Sequence, residues 1–137
     1  LVSGDLDASA LYPPKRFFGS GRKVEEGGSL TVIATLASET QSKVDELVLN
    51  ELQGGSTMEL HLSSEAVEAQ LFPGINVRKT ATKNIESLYS TEEQSQNSKL
   101  REEIKKSSTE SDRLAELKYV LNKISDTEDN AQLLRNL

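Results

Sequence analysis

The chain has 137 residues, a length that predicts one domain. Its formal net charge of -6 argues against a general polyanion binder, because such proteins usually present a basic face. The absence of cysteine excludes disulfides and thiolate metal sites, and a single histidine leaves carboxylates as the ligands available to a cation. We expect no metal site and no cofactor. No apolar run approaches the ~20 residues that span a bilayer, so we expect a soluble protein without a membrane partner.

The N-terminal part of the sequence predicts two short helices and a buried strand. Asp7 can cap a first helical turn, and Pro14 suits the start of a second helix that runs to Phe18 and stops at Gly19. Residues 29–37, SLTVIATLA, are apolar at alternate and intervening positions and rich in β-branched side chains. This pattern predicts a strand covered on both faces, as in the interior of an α/β sheet. If its neighbours are missing, we expect its apolar surface to be exposed.

Short helices and strands alternate in the middle of the sequence. Residues 44–52 carry apolar side chains at i, i+3, i+4 and i+8, the spacing of an amphipathic helix. Met58–Leu62 alternates in the way that predicts a strand. Leu71–Val77 predicts another strand near a sheet edge, because Pro73 cannot donate a ladder hydrogen bond. We expect Ser64 to cap a brief helix between the two strands.

The composition changes after Leu88. Tyr89–Ser98 is rich in Ser, Gln and Glu and predicts a linker or a helix start, while Lys105–Ser111 predicts a polar loop. Residues 114–124 carry an apolar stripe that predicts an amphipathic helix, capped by Asp112 or by the serine before it. Three leucines at the end of the chain predict a last helical turn.

The most informative segment is Leu11–Thr40, which reads LYPPKRFFGSGRKVEEGGSLTVIATLASET. Together with the residues up to Pro73, which include GG, MELHLS and FP, it resembles without a gap the late part of the motor domain of the Rho family of bacterial transcription termination factors. The resemblance returns as VLNKI at Val120–Ile124 and covers nearly the whole chain, with extra residues around Lys106–Asp112. Members of that family are hexameric RNA-dependent ATPases.

The resemblance implies an α/β fold: a partial RecA-like sheet of the P-loop NTPase type that lacks the P-loop half, with a C-terminal helical extension. We assign residues 1–88 to the Rho-like RecA-fold segment and residues 89–137 to a helical extension of the same domain. The chain predicts only about three strands, too few for a good sheet. We therefore expect the missing strand partners to lie upstream in a longer protein or in another subunit.

The residues that carry ATP chemistry in the family are missing or changed. No stretch matches G-x-x-x-x-G-K-[ST], and Gly19–Lys23 comes nearest with the wrong spacing. The family's arginine finger falls on Lys83, and a second family arginine falls on Gln70. Lysine lacks the planar fork of arginine and glutamine lacks the charge, so we expect no catalytic residue and a pseudoenzyme. Ordinary solvated side chains are the alternative for both. Phe72 matches an aromatic that packs near adenine in the family, but we expect it in the core beside Pro73.

The residues that contact RNA in the family's central pore are better preserved. Asp5 replaces a glycine and places an acid where a phosphate would pass, and Gln41 replaces a glycine of the second pore loop. The candidate RNA contacts, for which solvated side chains are the alternative, are Ser3, Gly4, Thr40, Ser42 and Lys43.

A basic cluster and the single histidine are weaker candidates for a site. Lys15–Lys23 interleaves basic residues with Phe17 and Phe18, a mixture that could hold phosphates and stack bases, although we expect both aromatic rings in the core. His61 alternates with apolar strand residues, and we expect a surface imidazole with no base or nucleophile beside it.

We therefore expect a non-catalytic Rho-like module that acts as a scaffold or interaction subunit in a transcription or RNA-handling complex. Its expected partners are protein subunits of that complex, with RNA as a candidate and no small-molecule substrate. One alternative is a C-terminal fragment of an active RNA-dependent Rho-type ATPase/helicase, and a second is a stand-alone RNA-binding module. The sequence leaves open the bacterial cytoplasm or a plastid or other organelle stroma.

Overall fold

The computed structural model describes residues 7–108 and 113–137. The chain divides into two compact units, Leu1–Ser56 and Thr57–Leu137, here called the N-terminal and C-terminal units. The sequence-based division at residue 88 does not rest on compactness. The two compact units therefore do not test it, and it stays a prediction. The expected contacts at Ser3 and Gly4, and the expected helix caps at Ser111 and Asp112, lie outside the described residues.

The helices of the N-terminal unit lie close to where the sequence predicts them, although helix α1 begins at Tyr12 rather than at Pro14 and its N-cap residue, Leu11, makes no capping hydrogen bond. The carboxylate of Asp7 accepts a hydrogen bond from the Ser9 amide at 3.0 Å and begins a 3-10 turn over Ala8–Leu11. Helix α1, Tyr12–Phe18, follows with proline in its first turn, where a missing N–H costs nothing. Helix α2, Lys43–Gln53, covers the amphipathic helix predicted over residues 44–52; it ends before Gly54, and it begins at a Ser42 cap that was not predicted.

The strand predicted at residues 29–37 is not formed. Ser29 makes a single antiparallel bridge to Lys23, and residues 30–38 have no regular secondary structure. A strand exists only through hydrogen bonds to a neighbour, and the described residues offer this segment only Arg22 and Lys23, where the Arg22 carbonyl accepts from the Leu30 amide at 3.0 Å. The expected exposure of apolar side chains is observed, since Leu30 is 53% and Ile33 88% exposed.

The sheet of the C-terminal unit is small and antiparallel. Strand β1, Met58–Glu59, pairs with strand β2, Ala81–Thr82. The ladder predicted over Met58–Leu62 therefore covers two residues, and a separate bridge joins Leu62 to Ile75. The strand predicted over Leu71–Val77 is wrong apart from that bridge. Pro73 has no N–H to donate, so this stretch forms a loop.

Four α-helices and a 3-10 turn over Ile85–Ser87 follow in the described part of the C-terminal unit. Helix α3, Ser64–Glu68, is capped by Ser63 rather than by the expected Ser64. Three longer or terminal helices follow: α4, Thr91–Lys106; α5, Arg113–Ser125; and α6, Asn130–Arg135. Within the described part of the chain, the buried apolar side chains are Ala66, Ile104, Leu117 and Leu133. The described residues thus combine helices with a two-stranded sheet, and none of these helices is long and apolar enough to cross a membrane.

Candidate functional site

Lys83 directly follows strand β2, and its ammonium is paired. The Lys83 Nζ atom lies 3.2 Å from Oε1 of Glu59 on the neighbouring strand β1. The backbone amide of Lys83 donates to the carbonyl of Thr57 at 2.8 Å. The short sheet therefore fixes the backbone at residue 83 and places a carboxylate within reach of its side chain.

The Glu59 carboxylate also faces the only histidine of the chain. His61 Nε2 lies 3.5 Å from Glu59 Oε2, because the two residues are two positions apart and project from the same face. The expectation of an imidazole without a neighbouring base was therefore wrong. The Glu59 side chain is 22% exposed and that of Lys83 is 46% exposed. Ion pairs at such exposure contribute up to about 1 kcal/mol, so this pair can open.

Gln70 and Phe72 lie in the loop after helix α3. Gln70 is exposed and has a φ of 56°, in the left-handed region that ends many helices. Phe72 is 66% exposed, so the expectation that it packs in the core was wrong. An exposed ring remains available to stack on another planar group. Lys83 comes from a different segment, after strand β2, and all three residues belong to the C-terminal unit.

The described candidates for RNA contact lie at the N-terminus of helix α2. The Thr40 hydroxyl donates to Asp45 Oδ2 at 2.6 Å, and Ser42 Oγ accepts from the Asp45 amide at 3.3 Å. Gln41 has a φ of 61°, a conformation that glycine adopts at lower cost than other residues. Lys43 is exposed and begins the helix. Two of the three candidates thus make local hydrogen bonds, while Lys43 is exposed.

The basic cluster of the N-terminal unit is partly neutralised. Lys15 Nζ lies 2.5 Å from Glu51 Oε2, and the Arg22 guanidinium donates to the Gly19 carbonyl at 3.1 Å. Arg16 lies over the ring of Tyr12, 5.7 Å from its centroid. Phe17 is 70% exposed, so its expected place in the core was wrong. Cations engaged in these local contacts form a weaker phosphate-binding surface than the sequence indicates.

The acidic partners of these cations were missed at the sequence level. The alternation along strand β1 places Glu59 and His61 on one face, and this pattern could have pointed to the contact. The pairing of Glu59 with Lys83 depends on strand register, which neither segment carries in its own sequence.

Among residues 7–108 and 113–137, no group of three or more His, Asp and Glu side chains could hold a metal ion.

Comparison with known proteins shows that the chain is similar to proteins named transcription termination factor Rho. It is 43% identical over 134 residues to the transcription termination factor Rho of Micrococcus luteus, covering 98% of this chain and 19% of that protein. It is 48% identical over 95 residues to Rho of Borreliella burgdorferi, covering 69% and 18%. It is 48% identical over 93 residues to Rho of Escherichia coli K12, covering 68% and 22%. No family model matches the chain.

These matches show that the chain is similar to a segment of the transcription termination factor Rho. The chain belongs to the Rho family and matches a C-terminal fragment of it. It spans about a fifth of the length of the curated relatives it matches, 19% for the M. luteus protein.

Proposed function

We propose that this chain is a non-catalytic Rho-like module that serves as a scaffold or interaction subunit in a transcription or RNA-handling complex. The observation that carries the proposal is the ion pair between Lys83 and Glu59 at 3.2 Å. Lys83 occupies the position at which the family resemblance places an arginine finger. The Glu59 carboxylate competes with a phosphate of a neighbouring subunit for this ammonium, by up to about 1 kcal/mol.

The chemistry of the two changed positions supports the same proposal. An arginine fork grips two phosphate oxygens at once, whereas a lysine ammonium acts as a point charge. Arginine fingers contribute about 10³–10⁵ in rate in NTPases of this type. Gln70 carries no charge at the position of the second arginine. We propose that the inherited partial RecA-like sheet and its helical extension are kept for contact rather than for hydrolysis.

RNA-stimulated ATP hydrolysis by the whole protein tests the proposal. We expect negligible turnover, and we expect Lys83→Ala to leave the rate unchanged, because the ammonium contributes nothing to phosphate binding. Lys79→Ala is the matched control, since it removes a lysine from the same segment outside the finger position. Substantial turnover that falls upon Lys83→Ala but not upon Lys79→Ala would contradict the proposal.

A second candidate is a C-terminal fragment of an active RNA-dependent Rho-type ATPase. The 43% identity over 134 residues favours it, because the rest of such a protein could hold the P-loop. In that case the Lys83–Glu59 pair opens in the assembled protein, and Lys83 turns toward the nucleotide. The same hydrolysis measurement separates the two functions.

The relatives named above come from bacteria, which favours the bacterial cytoplasm over an organelle stroma.

A further inference from the structure

The loop that leads to Lys83 is tied to helix α5 by an arginine. Arg78 Nε donates to both carboxylate oxygens of Glu116, at 3.0 Å to Oε1 and 3.3 Å to Oε2. A second guanidinium nitrogen of Arg78 also donates to Oε1 of Glu116. The two residues are 38 positions apart in the sequence, so the contact joins the loop to the helical part of the same unit.

The carboxylate of this pair is buried. Glu116 is 2% exposed, and its Oε1 also accepts a hydrogen bond from Ser108 Oγ at 2.9 Å. A buried carboxylate is tolerated only when it is paired and hydrogen-bonded, because removal from water is costly. Buried Glu116 therefore needs Arg78 as its partner, while the Arg78 side chain is itself 44% exposed. The contact with Glu116 holds the Arg78 side chain in place and so restrains the loop that carries it.

Helix α4 holds the same loop with a second arginine. Arg101 donates to the backbone carbonyl of Val77 at 3.1 Å and to that of Thr80 at 3.2 Å. These two carbonyls flank Arg78 in the sequence. The loop is thus held by one helix through its side chain and by another through its backbone. We call Arg78, Arg101 and Glu116 the arginine clamp.

The clamped loop connects directly to the site. The Thr80 hydroxyl accepts a hydrogen bond from the His61 amide at 3.1 Å, which ties the loop to the segment after strand β1. Strand β2 follows at once, and Lys83 comes after it with its amide bonded to Thr57. Only the two residues of strand β2 separate the clamped loop from Lys83. Because this connection is so short, a displacement of the loop also displaces the cation.

We infer that the arginine clamp is a positioning device, through which helices α4 and α5 set the location of Lys83. None of its three residues has to touch a nucleotide for this role. The inference does not depend on whether Lys83 binds phosphate, so it stands apart from the proposed function. Binding of any partner to these helices would change the position of Lys83 through the clamp.

Hydrogen exchange of the whole protein, read by mass spectrometry on peptides that cover residues 76–83, tests the inference. Glu116→Gln removes the charge that holds Arg78, and Arg101→Met removes the bonds to both carbonyls. We expect exchange in this segment to accelerate by about tenfold in each variant, the scale of a lost charged hydrogen bond. We also expect Arg78→Gln combined with Glu116→Gln to be no faster than either alone, because the two residues act as one pair.

Tyr119→Phe is the matched control. It removes a bond from Tyr119 to Glu103 that joins helices α5 and α4 without contacting the loop, so exchange at 76–83 should not change. Arg101 is exposed, and its substitution tests the clamp even if Glu116→Gln prevents folding. Unchanged exchange in Arg101→Met, or equal acceleration in Tyr119→Phe, would overturn the inference.

Discussion

Lys43 begins helix α2, a position that does not favour a cation. The free amides of a first helical turn carry partial positive charge, which stabilises acids such as Asp45 and Glu46 and opposes a lysine. Thr40 and Ser42 are engaged in local hydrogen bonds, and the described residues offer Lys43 no ion pair. A solvated side chain is the alternative for this exposed lysine, and its contact with RNA stays a prediction.

Lys43→Glu should therefore weaken RNA binding if the module contacts RNA. We expect a lower affinity and a salt dependence reduced by roughly one phosphate contact, measured by fluorescence titration at several salt concentrations. Lys118→Glu, an equal charge change at an exposed position of helix α5, should have a smaller effect. Equal losses from both variants would show that only the net charge matters.

Single residues divide into those that their neighbours in sequence explain and those that depend on distant partners. The Asp7 cap was predicted and the Ser42 cap could have been, because their hydrogen bonds reach two or three residues along the chain. The exposure of Phe72 could not, because apolar character alone does not say whether enough chain exists to cover a ring. Glu59 beside Lys83 depends on the register of two strands.

Helix α4 shows how polarity can conceal an element. Tyr89–Ser98 was predicted as a linker or a helix start, and the helix runs from Thr91 to Lys106. Ser90 and Glu93 form a capping box, a signal that was present in the sequence and was obscured by the many polar residues around it. The strand at 29–37 shows the reverse error, since its pattern is strong and its partners are absent from the described residues.

Ser90→Ala should destabilise helix α4 by about 1 kcal/mol, because the cap bond is lost. The hydrogen bond from the Ser90 hydroxyl, followed by that from its backbone amide, lowers the pKa of Glu93 below its ordinary 4.5. A carboxyl whose pKa is lowered by folding contributes stability above its unfolded pKa and loses it as the pH falls through the folded value. The difference between wild type and Ser90→Ala should therefore shrink in acid.

Thermal unfolding followed by circular dichroism, at neutral pH and below pH 4.5, measures this difference. Ser95→Ala is the control, since Ser95 is exposed within the same helix and alanine is the better helix former. A loss of stability in Ser95→Ala as large as that in Ser90→Ala would show that the cap is not the cause.

Among the residues that the structure describes, many large apolar side chains are exposed and few are buried. Ile33 is 88% exposed, Leu62 76% and Phe17 70%, while Leu117, at 3%, belongs to a small buried set in the described residues. Exposed apolar surface of this kind is typical of faces that contact other proteins. The sequence predicted this for residues 29–37 through the shortage of strands.

Leu117→Ala should be among the most damaging substitutions in the chain. Removing a buried leucine costs about 2–5 kcal/mol, a large part of the stability of a unit with so small a core. Leu88→Ala makes the same chemical change in the same unit at a side chain that is 65% exposed, and it should stay within about 0.5 kcal/mol. Urea unfolding followed by circular dichroism measures both. Similar losses would mean that Leu88 is covered in solution.

The burial of the Glu116 carboxylate makes positions 116 and 78 depend on each other in evolution. At 2% exposure it cannot lose its guanidinium without being stranded in a dry environment, whereas Arg78 alone would simply be solvated. The two substitutions should therefore occur in a fixed order during evolution. Arginine at position 78 is gained before glutamate at position 116 or together with it. Once Glu116 is lost, position 78 is free to vary. Lineages with the acid and without the base should be rare.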